Sequence, residues 1–111
     1  HAPLDYQLRY LPLVEQQVAT GTISKSDYAT LYDRIRMRQG SPQRYGTQTV
    51  QHRSSEANAP IYVYPVENPR KLNRLRRKMG LMPIKRYCRQ VEKIYGAPCI
   101  YDPSLSVEDF E

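Results

Sequence analysis

The residues best suited to chemistry in this sequence cluster between positions 33 and 48, DRIRMRQGSPQRYGTQ. Asp33 and Arg34 lead into a loop in which Gln43, Tyr45, Thr47 and Gln48 surround Gly46. A glycine there can take a positive φ or bring backbone close to a ligand, and the phenol, hydroxyl and amides around it both donate and accept hydrogen bonds. Such a set suits recognition of a neutral polar ligand such as a sugar, a nucleoside or a peptide amide. Were it to carry out hydrolysis or group transfer, His1 or Asp33 would serve as the base and Arg34 would steady developing negative charge. A structural reading stands beside this one. In it Gln43, Thr47 and Gln48 satisfy buried backbone groups at a turn while Asp33 pairs with an arginine. The second histidine, His52, falls in a polar stretch, and either histidine gains a catalytic reading only by approaching Asp33.

The elements that must position this loop follow from period and punctuation. Leu4, Leu8, Leu11, Val14 and Val18 recur at helical spacing up to Gly21, with a kink or a fresh start at Pro12. Ser24 followed by Asp27 is a capping pattern, so a second helix begins after Ser24, with Tyr28, Leu31, Tyr32 and Ile35 as its expected buried stripe, and ends at Gly40-Ser41-Pro42. The period then changes. Tyr45 to His52 and Ile61 to Val66 read as the two strands of a hairpin, with Pro65 at an edge or at the strand end. Asn68-Pro69 opens a third helix with the stripe Leu72, Leu75 and Met79, ending at Gly80. Pro83 opens a fourth, whose stripe is Ile84, Tyr87, Cys88, Val91, Ile94 and Tyr95. From Gly96 the chain reads as an extended tail that stays attached if Cys99, Ile100 and Tyr101 dock. The expected fold is therefore mainly α with a small β-hairpin (α+β), in the order helix, helix, hairpin, helix, helix, tail. It forms one domain over residues 1–111, with a body through 95, a hairpin at about 44–66 and a tail from 96 to 111.

Composition narrows the classes. At 111 residues the chain buries one modest core, and no apolar run approaches the ~20 residues of a membrane-spanning helix. With ten Tyr against one Phe and no Trp, most aromatic surface carries a hydroxyl that needs a partner if buried. The net charge of +6 is concentrated: ten cations lie between Arg70 and Lys93, opposed there only by Glu92, and the tail reverses sign at Asp102, Glu108, Asp109 and Glu111. The basic block supports an alternative function, an interaction module for an acidic partner or nucleic acid, with Tyr87 or Tyr95 stacking on bases. Against it, the apolar stripe of the fourth helix needs both tyrosines in the core. There is no Gly-rich phosphate loop, nucleophile motif or metal-ligand spacing, so no cofactor and no metal is expected.

Asp33-Arg34, Gly40, Pro42-Gln43 and Tyr45-Gly46-Thr47-Gln48 resemble, in that order, the pattern of a bacterial family grouped only as a domain of unknown function. Glu67-Asn68-Pro69, Arg76-Arg77, Gly80-Leu81, Pro83 and Tyr87 are similar to its later stretch, and His1-Ala2, Asp5 and Gln7 to its start. The resemblance reaches to about Tyr87 and implies a shared fold and a shared polar site, with no activity attached. Cys88 and Cys99 remain. A disulfide between them is expected, which would add about 3 kcal/mol and mark an exported protein of the periplasm or cell envelope, as would a leader removed ahead of His1; the alternative is two free thiols in a cytoplasmic protein.

Overall fold

The computed structural model describes residues 24–51 and 59–110. The expected first helix, Leu4 to Val18, lies outside the described residues, as do His1 and His52. Helix α1 (Lys25–Arg38) starts where the capping pattern puts it: the Ser24 side chain accepts from the Asp27 amide at 3.1 Å. It stops at Gln39, whose amide donates to the Ile35 and Arg36 carbonyls, and Gly40 follows at a φ of +73°. The buried face differs from expectation. Ala29, Asp33 and Ile35 are buried, while Tyr28, Leu31 and Tyr32 are half-buried. The reason is Asp33, whose carboxylate is turned inward by the partners described below, rotating the tyrosines toward the rim.

Strand β1 (Thr49–Gln51) pairs antiparallel with β2 (Ile61–Val63) in the register Thr49 to Val63 and Gln51 to Ile61. Pro65 lies past the end of β2, where its carbonyl accepts the Gln43 amide at 2.9 Å and its missing donor costs no ladder bond. A 3-10 turn, Pro69–Lys71, runs into helix α2 (Leu72–Lys78), with the Asn68 side chain accepting from the Lys71 amide. Helix α3 (Ile84–Tyr95) follows the Gly80 turn, and the Asn73 side chain reaches over from α2 to accept its first amide, Ile84, at 3.0 Å.

The tail docks. Strand β3 (Cys99–Ile100) adds to β2 in parallel, so the hairpin becomes a three-stranded sheet in the order β1-β2-β3. Gly96, at a φ of +65°, ends α3 and lets Ala97-Pro98 carry the chain back, and the Glu92 carboxylate accepts the Cys99 amide at 2.9 Å. Farther on, Phe110 in the 3-10 turn Val107–Phe110 packs its ring on Tyr62 and Tyr64. The core sits between α2, α3 and the sheet: Val63, Val66, Leu72, Ile84 and Cys88 form one cluster, and Ile61, Val91 and Ala97 a second, with Tyr87 and Cys99 touching both. Ile94 and Tyr95, expected in the α3 stripe, are instead 66% exposed, in the last turn before the helix ends at Gly96.

Candidate functional site

The loop from Arg44 to Thr47 is held from both sides by its own protein. One Asp33 oxygen accepts the amides of Arg44 (2.9 Å) and Tyr45 (3.0 Å); the other accepts the amide and the hydroxyl of Thr47 (3.0 and 2.8 Å). All four partners are donors, and the residue is fully buried. Burial raises the carboxyl above its ordinary pKa, and those donors pull against the rise. On the opposite side stands Arg76, 1% exposed, whose Nη1 donates to the Tyr45 and Gly46 carbonyls at 2.7 and 2.9 Å. Its Nε donates to the Met82 carbonyl at 2.6 Å, and its guanidinium lies 5.0 Å from the centre of the Tyr87 ring. The loop's amides thus go to a carboxylate and its carbonyls to a guanidinium.

Gly46 sits where the clamp is tightest. At a φ of +70° it favours glycine, and an added Cβ would come within 3.2 Å of Ile84 and 3.4 Å of both Leu72 and Arg76. Gln43, also fully buried, closes the next turn: its amide nitrogen donates to the Gln48 and Tyr64 carbonyls, and its oxygen accepts the Gln48 amide. The Gln48 side chain contacts the Thr47 hydroxyl at 3.2 Å. Outside the loop, Arg44 lies 4.5 Å over the Tyr32 ring and shares Glu67 with Arg36, at 2.8 and 3.4 Å.

Of the residues singled out from sequence, Asp33, Gln43, Tyr45, Thr47 and Gln48 come together, as a hydrogen-bonded knot. Arg34 is exposed on the helix and stands apart from it. Asp33 spends its lone pairs on the loop. An open space lies beside the knot: a cleft of about 370 Å³ bordered by Ser26, Thr30, Thr47, Arg76, Tyr87, Gln90 and the turn from Gly80 to Met82. Arg76 is the residue sequence reasoning missed, having been grouped with the solvated cations. Its signal was phase, since Arg76 follows Leu72 by four positions and precedes Met79 by three, which places it on the apolar stripe.

A family model of unknown function, DUF6624, matches residues 1–99. The chain belongs to this family. No curated protein and no solved structure matches it. The family match continues beyond Tyr87 through α3 and ends at Cys99, the first residue of β3. Within the family's span, the residues on which the resemblance rests have identifiable tasks here: Asp33 and Gln43 bind loop backbone, Gly40 and Gly46 supply positive φ, and the Pro42 carbonyl accepts Arg36 Nε at 3.2 Å.

In place of the expected disulfide, Cys88 and Cys99 meet as free thiols, Cys88 buried and Cys99 half-buried. Burial first, and then the Cys88 contact, push the Cys99 thiol up to about 12. Burial raises the Tyr87 and Tyr101 hydroxyls as well, and the Tyr101 oxygen has no hydrogen-bond partner among the described residues.

Two outcomes follow from these contacts. Asp33→Asn turns an amide NH2 toward two of the donors and should cost about 2–4 kcal/mol in urea unfolding; a loss below about 0.5 kcal/mol, the range of ordinary surface substitutions, would show that the knot does not depend on the carboxylate. Cys99, Tyr87 and Tyr101 hold their protons more tightly folded than unfolded, so their contribution is complete below the ordinary values of 9.0 and 10.0 and is lost as pH rises past them. The urea midpoint should therefore fall from about pH 9 upward, and Cys99→Ala should flatten the first part of that fall. A midpoint constant to about pH 11 would contradict the assignment.

Proposed function

We propose that the chain is a binding protein for a small polar ligand, seated in the cleft beside the knot rather than in the loop itself. The observation that carries this reading is Arg76: its guanidinium is 1% exposed and borders the cleft, and no carboxylate among the described residues lies within ion-pair distance of it. A buried cation with no ion-paired carboxylate is costly, and the Asp33 charge beyond the loop and the carbonyl dipoles offset that cost only in part. Nε and Nη1 are engaged by three carbonyls, whereas no hydrogen bond within the described residues engages Nη2. An electronegative group on a ligand would complete its coordination.

The rest of the lining fits a hydroxylated partner. Thr30 donates its hydroxyl hydrogen to the Ser26 carbonyl and Tyr87 donates to the Thr47 carbonyl, which leaves both oxygens able to accept. Gln90 is exposed and adds an amide at the rim. The described cleft residues include no carboxylate or imidazole to move a proton, and Asp33 is committed to the loop, so the reading is one of recognition rather than acid-base catalysis.

The test is amide NMR on the 15N-labelled chain, titrated with a panel of sugars, nucleosides and their phosphate esters. Binding members should shift Ser26, Thr30, Thr47 and Gln90 together, and Gln90→Trp, a substitution at an exposed position, should weaken binding at least tenfold while leaving the unfolding midpoint in place. A panel that moves none of these amides, or an affinity indifferent to Gln90→Trp, would overturn the reading.

A further inference from the structure

The cleft does not stop at its rim. Met82 and Gln90 also border a second, open groove of about 400 Å³ whose remaining walls are Arg86, Arg89 and Lys93. These three and Gln90 occur at positions i, i+3, i+4 and i+7 of α3, one face of the helix, and span about 10 Å along its axis. None of the three cations has an ion-pair partner among the described residues. The acidic tail does not supply one: no ion pair joins it to residues 70–93 within the described residues, and the Asp102 and Asp109 carboxylates accept instead from Ser104 and Ser106 of the tail itself. The positive field of the groove is therefore left open to solvent.

We infer that the ligand of the Arg76 cleft is a phosphorylated small molecule, a sugar phosphate or nucleoside diphosphate, whose hydroxylated body occupies the cleft and whose phosphoryl arm runs out past Gln90 along Arg86, Arg89 and Lys93. The inference rests on the reading of the cleft as a ligand site and adds the ligand's chemical class. Arginine forks and phosphoryl oxygens match in geometry, and each phosphoryl group brings more charge and more acceptors than a carboxylate, which suits three cations on one stripe. A small phosphorylated molecule is favoured over a long polyanion because the groove shares Met82 and Gln90 with a cleft bordered by the hydroxyl-bearing Ser26, Thr30, Thr47 and Tyr87, which the body of such a ligand can fill.

Calorimetry on the full chain with ribose, ribose 5-phosphate, ADP and a short single-stranded oligonucleotide separates the outcomes. ADP and ribose 5-phosphate should bind at least tenfold more tightly than ribose at low salt, lose that advantage as salt is raised, and lose it equally in an Arg89→Ser/Lys93→Ser variant whose unfolding midpoint is unchanged. If ribose binds as well as its phosphorylated forms and still shifts the cleft amides, the phosphoryl assignment fails while the cleft remains a ligand site. If no probe binds and no cleft amide moves, both fall together. Binding of the oligonucleotide alone would overturn the inference in favour of a nucleic-acid surface.

Discussion

Everything described depends on one loop being gripped by opposite charges. A polypeptide segment that is neither helix nor strand presents amides and carbonyls that must be satisfied when buried. Between Arg44 and Thr47 the chain divides that task by polarity: Asp33 takes the amides and Arg76 the carbonyls. The two charged residues are far apart in sequence and sit on different helices, so the loop is the material that joins α1 to α2. Gly46 makes the arrangement possible, since any side chain at that point would meet Ile84 and Leu72 in the core.

That grip has consequences on both faces. Toward the sheet, Gln43 aligns the loop with the end of β2, which sets the register in which β1 starts at Thr49. Toward the helices, Arg76 extends from the loop to the Met82 turn and under the Tyr87 ring, so the same guanidinium that braces the backbone also forms the wall of the cleft. The knot is therefore scaffold, and the cleft is what the scaffold holds open. Both roles meet in Thr47, whose side chain binds Asp33 while its carbonyl accepts from Tyr87.

Much of this was legible in sequence where local chemistry decides. Ser24 and Asn68 cap the helices their spacing predicted, and Gly40, Gly80 and Gly96 take positive φ where helices end. Around Gly46, Gln43, Thr47 and Gln48 engage the turn and Asp33 in one hydrogen-bonded knot, from which Arg34 stands apart. What could not be read were the choices made by tertiary partners. Asp33 is buried on a helix whose tyrosines looked like the natural inward face, because four loop donors outweigh the apolar preference. Arg76 looked like one cation in a basic run until carbonyls from a loop thirty residues earlier gave it a buried place. Ile94 and Tyr95 continue the helical period of α3 yet remain exposed in its last turn. The tail was a strand in waiting, and only the free edge of β2 revealed it.

Amide hydrogen exchange on the native chain tests the grip most directly. If Asp33 holds the loop as described, the amides of Arg44, Tyr45 and Thr47 open only with global unfolding, and should exchange as slowly as the Cys88 and Val91 amides in the buried face of α3. Exchange of those three amides at the rate of an open surface loop, with α3 still protected, would contradict the account.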